Sequence, residues 1–451
     1  MHALVLTALL AAAPAERELI VLVLIDAMRA DHVGAYGYSR PTTPNLDELA
    51  TRGTRYTRAY VNAPWTRPST ASFLTGLNAS RHRTETEDSK LPAEVVTLAQ
   101  KLAAAGWKTA GFTANGNGGS LAGLERGFHV FEDPSKTYTR QSRNERCAKL
   151  ASASVEERAR ADCKRYNGLP TGEFLVGRAL DHLRHSRADK EFLFVFLVDP
   201  HDPYEAPPAL EKMFLGDFKG TIRRRALWER DNNYPGDERF SMMAVYDAGI
   251  RYADQALGEL LRGAPAAGFG KVTWFVTADH GEGFGEHGFY LHAHHFWEEV
   301  IHVPLIAVGP AFSTGVDPRI AQSIDVAATI LSLAGVKAAD LPGRALTEPA
   351  PASSHIISEY NEYGIHRQAA VGRRYKVIWQ RPADEAWYLR TAKKKEFFPS
   401  VSFGREVVQV FDLTTDPQEK HDLATAMPAE AAQMLAALRA FVGNAGTLAE
   451  K

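Results

Sequence analysis

Three uninterrupted apolar runs, each ending in acid or imidazole side chains, constrain the fold of this chain more than any other feature. Residues 19–25 stop at Asp26, residues 192–198 run into Asp199-Pro200-His201-Asp202-Pro203-Tyr204, and residues 272–277 run into Ala278-Asp279-His280-Gly281-Glu282. Short apolar runs rich in β-branched and aromatic residues suit strands buried on both faces, as in a parallel sheet. Open α/β sheets place their chemistry at the carboxyl ends of such strands. Asp26, His201, Asp279 and His280 are therefore candidate functional residues.

Between the runs, residues 43–53, 94–105, 173–185 and 243–261 carry apolar side chains at spacings of three and four, which predicts helices. Alternating strands and helices predict an α/β fold, a mostly parallel sheet sandwiched by helices. Residues 135–168, charged and poor in apolar side chains, read as a surface insertion. Beyond Leu341 the pattern changes. Pro342-Gly343, Pro349 and Pro351 mark a boundary, residues 369–380 and 406–413 alternate like strands, and residues 428–442 read as a closing helix. The 451 residues thus divide into a catalytic α/β domain over 16–341 and a small C-terminal α+β subdomain over 342–451, preceded by a short leader.

That leader is an apolar run at residues 3–15 ending in Ala13-Pro14-Ala15, the small-x-small form of a signal-peptide cleavage site, although no Lys or Arg precedes it. It predicts export, to the periplasm or outside the cell; the rival reading is a misassigned start. No later segment approaches the roughly 20 apolar residues of a spanning helix, so no transmembrane segment is expected in the mature chain. Cys147 and Cys163 would form a disulfide in an exported chain or remain two thiols in the cytosol. With 52 Lys+Arg against 54 Asp+Glu, the net charge of −2 offers no field for nucleic acid. An anionic ligand must be recognised locally.

Ala63-Pro64-Trp65-Thr66-Arg67-Pro68-Ser69-Thr70 places a hydroxyl, Thr66, at the start of a predicted helix. A helix N-terminus presents unpaired N–H groups and the positive end of the macrodipole, which suits a hydroxyl attacking an anionic ester. The competing role is ordinary N-capping by Thr66 or Ser69. Asp26, Thr66, Asp279 and His280 together form a metal-ligand set, and a cation there would lower the pKa of the attacking oxygen. The imidazole favours Zn²⁺ or Mn²⁺ over Ca²⁺ or Mg²⁺.

In their order along the chain, these blocks resemble the sulfatase family of the alkaline phosphatase superfamily. The resemblance rests on residues 25–32, Thr42-Thr43-Pro44-Asn45-Leu46, the Thr66 turn, residues 199–204, 246–250, 277–288 and 303–306, and the closing Val410-Phe411-Asp412-Leu413-Thr414-Thr415-Asp416-Pro417-Gln418-Glu419. It implies an alkaline-phosphatase-like fold and a metal-dependent hydrolase of sulfate esters. It also implies that His201 and His292 hold the transferred oxygens and protonate the leaving group. Arg67 and Asn115 become candidate substrate-binding residues. His294 and His295, beside His292, are weaker candidates.

The departures are specific. Formylglycine sulfatases carry Cys or Ser where this chain has Thr66, Arg where it has Thr70, and many carry a second Asp where it has Ala27. Threonine cannot yield the aldehyde, since oxidation of its secondary alcohol gives a ketone. The ligand set is similar to that of relatives using an unmodified Thr, such as phosphoethanolamine transferases. Two alternatives therefore accompany the sulfatase reading: a phosphodiesterase or phosphoryl transferase working through phosphothreonine, and an inactive binding protein. The expected partner is an anionic ester of a small molecule, glycan or lipid head group.

Overall fold

The strand predicted at residues 19–25 forms as β1 (Glu18–Ile25), and its last seven residues are buried. The computed structural model describes residues 16–133, 171–224, 234–338, 340–349, 355–362, 364–391 and 402–449. The expected leader, the insertion at 135–168 and both cysteines lie outside the described residues.

After β1 come β2 (Thr54–Tyr60), β3 (Lys108–Thr113), β4 (Val130–Glu132), β5 (Lys190–Leu197) and β6 (Lys271–Ala278). A short ribbon, β7 (Gly283–Phe284) with β8 (Tyr290–Leu291), precedes β9 (His302–Val308) and β10 (Gly315–Gln322). The main sheet has eight strands in the order β10-β2-β9-β6-β1-β5-β3-β4. β1 pairs in parallel with β5 and β6, β3 in parallel with β4 and β5, and β2 in parallel with β10. β9 runs against both neighbours, so the sheet is mostly parallel, as expected, with one reversed strand that the strand-helix alternation did not announce.

The helices pack in two sets. Pro44–Ala50, Gly172–His185 and Gly236–Ala266 pack together, as do Thr66–Thr75, Leu98–Ala104 and Ser323–Leu333, and β3 touches a member of each set. Gly236–Ala266 is longer than the periodicity indicated, because Asp237 and Glu238 extend its first turn, where acids complement the helix dipole. Among the described residues no helix is long and apolar enough to cross a membrane.

The predicted C-terminal strand at 369–380 proves to be two, β12 (Ile365–Val371) and β13 (Tyr375–Gln380), flanked by β11 (Ile356–Glu362) and β14 (Val407–Asp412) in an antiparallel sheet. Its two faces do different work. Ala370, Val377, Trp379 and Val410 pack on Ala431, Met434, Leu435 and Leu438 of the helix Ala429–Ala449, while Tyr360, Ala369, Ile378 and Phe411 join the core of the main sheet. Fully burying a Leu or Met side chain contributes about 1.5–3 kcal/mol, so the closing helix is held by a handful of side chains.

Glu359 on β11 joins this sheet to the segment after the Thr66 helix: its carboxyl accepts from Ser80 N–H at 3.2 Å and Ser80 O–H at 3.1 Å. Burial, with the charge of Glu85, pushes it from its usual 4.5 up to about 8. The folded state thus binds this proton more tightly than the unfolded state. The associated stability is whole below about 4.5 and is lost as the pH rises through about 8. Glu359→Gln, which keeps an acceptor for Ser80, should lower Tm less than wild type does between pH 5 and pH 9 (roughly the window bracketing the two values). Identical pH slopes would remove Glu359 from the alkaline destabilisation.

Candidate active site

Strand register brings the two acids together. Ile25 is paired with Ala278 of β6 and Leu197 of β5, so Asp26, Asp279 and the 198–204 segment leave the sheet at one level. Asp26 Oδ2 accepts from Asn115 Nδ2 at 2.9 Å, and Asp279 Oδ1 accepts from the N–H groups of Ala27 at 3.2 Å and His280 at 3.0 Å. The other oxygen of each, Asp26 Oδ1 and Asp279 Oδ2, is buried without a hydrogen-bond partner. Those two oxygens lie 3.5 and 3.4 Å from His280 Nε2.

His280 Nδ1 donates to the carbonyl of Gly281 at 2.8 Å. A carbonyl only accepts, so the ring proton sits on Nδ1 and Nε2 presents its lone pair. Burial, and after it the charge of His292, holds His280 well below the usual histidine range. Burial, and after it the charge of Asp26, pushes Asp279 well above the usual carboxylate range. Unpaired carboxylate oxygens this deeply buried are costly unless something positive answers them. The ligand atoms of Asp26, Asp279 and His280 lie within 4.8 Å of one another, so the donor set fits a divalent cation.

Thr66 is the first residue of its helix. The cap is Trp65, in extended backbone and making no side-chain cap bond. Thr66 Oγ1 is instead directed at His280 Nε2, 3.3 Å away, and Ser69 Oγ donates to the carbonyl of Asp279 at 2.5 Å. The capping roles open in the sequence are therefore not the ones these hydroxyls take. His82, fully buried, steadies the helix from behind: Nδ1 accepts from Thr84 N–H at 3.1 Å, while Nε2 lies 3.1 Å from the Pro68 carbonyl and 3.2 Å from Ser72 Oγ.

Three imidazoles follow one another from His280, the ring that faces Thr66. The His280 and His292 ring centroids are 4.1 Å apart, and those of His292 and His201 are 5.2 Å apart. His201 Nδ1 donates to the carbonyl of Asp202 at 2.5 Å. Burial would lower its pKa, but the charges of Asp26, Glu282 and Asp202 outweigh burial and raise it. His292 Nδ1 lies 3.0 Å from Glu282 Oε1. Burial, then the charge of His201, holds His292 well below its usual range, while burial pushes Glu282 up to about 8.

The two candidate substrate-binding residues are hydrogen-bonded within the protein. Arg67 donates to Asn117 Oδ1 at 2.7 and 3.2 Å and to the carbonyl of Ser89 at 2.7 Å. Asn115 is spent on Asp26 and on Asn117 N–H, 3.0 Å from its Oδ1. His294 lies edge-on to Tyr360, and His295 edge-on to Phe289. Sequence reasoning gave no role to Glu282, His82 or Asn117. Glu282 was within reach, being three residues past Asp279 at a strand end.

The mostly parallel α/β sheet thus brings two buried acids and an imidazole together at its strand ends, a donor set that fits a divalent cation. The sequence model of the sulfatase family, described as Sulfatase, matches residues 18–336, and the chain belongs to that family. It is similar to an arylsulfatase of Clostridium perfringens, 25% identical over 465 aligned positions that cover 90% of this chain and 89% of the relative. Among solved structures it resembles the phosphonate monoester hydrolase of Agrobacterium radiobacter, with TM-score 0.72, 18% identity and 95% of each chain covered. It also resembles a protein solved with its substrate D-glucosamine-2-N,6-O-disulfate, with TM-score 0.69, 16% identity and 96% and 99% covered. The protein is thus a sulfatase-like ester hydrolase, of sulfuric esters or phosphoesters.

Asn115→Ala is expected to weaken Mn²⁺ or Zn²⁺ binding about 10–100-fold, read by calorimetric titration, with unchanged circular dichroism. Unchanged affinity would mean Asp26 needs no such support. Gly281 admits no side chain, since a Cβ there would stand 2.1 Å from the Glu299 carbonyl oxygen. Gly281→Ala should cost about 1–3 kcal/mol in denaturant unfolding.

Proposed function

We propose that the protein hydrolyses sulfate esters with Thr66 as nucleophile, and that Asp26, Thr66, Asp279 and His280 hold one divalent cation. The observation that carries this reading is the convergence of two orphaned buried carboxylate oxygens, the His280 lone pair and the Thr66 hydroxyl. The nitrogen ligand favours Zn²⁺ or Mn²⁺. When bound, the cation supplies Lewis acidity and offsets negative charge at the reacting centre.

The side chains divide the remaining work. Thr66 Oγ1 attacks sulfur, its proton passes to solvent, and the bond to the alcohol oxygen breaks. His201, its pKa raised, gives the departing oxygen a proton; in the second half water attacks sulfur, one of its protons restores His201 and the other returns to Thr66 Oγ1 as sulfate leaves. His292 is held neutral. With Glu282 up near 8 and His292 well below its usual range, the shared proton sits on Glu282, and His292 Nε2–H is a donor for a transferred oxygen. Sulfated sugars suit such a site, as does any compact anionic ester, and the apolar run at residues 3–15 supports export to where such glycans occur.

A second reading follows from Thr66 itself. An unmodified threonine forms a stable phosphoester, so phosphodiester cleavage or phosphoryl transfer through phosphothreonine uses the same residues. Paired assays separate the two: aryl sulfate against aryl phosphate mono- and diesters, with metal-loaded wild type and Thr66→Ala. Thr66-dependent sulfate release is expected; phosphoester cleavage alone would transfer the protein to the second reading. His201→Ala should cost on the order of 10²–10⁴ in kcat on alkyl esters and far less on nitrophenyl esters, whose leaving group needs no proton. Equal losses on both would overturn the role given to His201.

A further inference from the structure

Between the site and the C-terminal sheet runs a strip of backbone, residues 292–300, gripped from both sides. On the site side, Gly281 N–H donates to the Val300 carbonyl at 2.8 Å, Glu282 N–H to that of Glu299 at 2.9 Å, and Ala293 N–H to that of Pro64 at 3.0 Å. On the other side three ionisable side chains reach in at alternate residues. Arg367 donates to the His294 carbonyl at 2.8 Å, Lys376 donates to the Phe296 carbonyl at 2.8 Å, and Glu419 accepts from Glu298 N–H at 2.7 Å.

Lys376 is fully buried, with Nζ 2.7 Å from Glu298 and 2.8 Å from Glu419. Buried ion pairs are a poor means of gaining stability, since apolar residues of like volume serve as well; what they provide is a fixed geometry. The path they fix is strained. Leu291 and Ala293, on either side of His292, have φ of 69° and 88°, a region non-glycine residues occupy only where the surroundings over-determine it.

We propose that Arg367, Lys376 and Glu419 are positioning residues for the reaction: they clamp the 292–300 strip and so hold the His292 ring against His280 and Glu282. The inference rests on the role given to His292 above. It assigns to the C-terminal sheet, which contributes no proposed ligand or nucleophile, a direct part in aligning the site.

The test uses full-length Lys376→Met, Glu419→Gln and Arg367→Met, each alone and combined with His292→Ala. Amide hydrogen exchange over residues 290–300 should accelerate while β1 and β6 stay protected. kcat should fall roughly 10- to 100-fold with KM nearly unchanged, and that fall should vanish in the His292→Ala background. Unchanged exchange, or an equal loss of kcat in both backgrounds, overturns the proposal. If Lys376→Met fails to fold because it strands the carboxylates of Glu298 and Glu419, Glu419→Gln keeps an acceptor for Glu298 N–H and carries the test. A His292→Ala enzyme with wild-type turnover would overturn the role of His292 itself, and hydrogen exchange then reads the clamp independently.

Discussion

Two carboxylates held side by side out of water, Asp26 and Asp279, are the constraint to which the rest of the site responds. Their proximity is a matter of register, since β1 and β6 end at the same level. Each is half satisfied by a fixed donor, Asn115 or the N–H groups of Ala27 and His280, and half exposed to the same small space. Repulsion and desolvation there are too large to leave unanswered. The proton placement on His280 follows the same logic: with Nδ1 donating to Gly281, the Nε2 lone pair faces the two acids and Thr66 Oγ1.

The departures from the formylglycine sulfatases have local physical counterparts. Ala27 sits where many relatives have a second acid, and its backbone is left-handed, with φ of 58°; its N–H supports Asp279 and its carbonyl accepts from Tyr246 O–H at 2.7 Å. Thr70 stands where the motif has arginine, and its hydroxyl is buried without a hydrogen-bond partner. The nearby Arg67 guanidinium is held by Asn117 and the Ser89 carbonyl.

What the sequence revealed and what it hid divide along physical lines. β1, β5 and β6 were legible because strands covered on both faces must be apolar throughout, and their terminal acids were visible as the points where that pattern breaks. β2 and β10, toward the edge of the main sheet, mix charged and apolar residues and carry no such signature. The reversal of β9 depends on a partner far away in sequence. Asn115 was legible only as a candidate substrate-binding residue; its contact with Asp26 spans 89 residues and could not be read from local pattern. His82 gave no signal, because a histidine used to tie together a neighbouring helix and turn has no periodicity.

The pair of acids and the threonine reach the same point on different kinds of scaffold. Strand register sets the acids; helix placement sets Thr66, backed by His82 and Ser69 rather than by the sheet's own hydrogen bonds. A change of side chain at position 66 therefore leaves the carboxylates where they are, and a change at a strand end leaves the helix in place. The architecture is modular in the evolutionary sense: the side chain at position 66 can be exchanged while the electrostatic platform is inherited intact, which allows one scaffold to diverge without refolding.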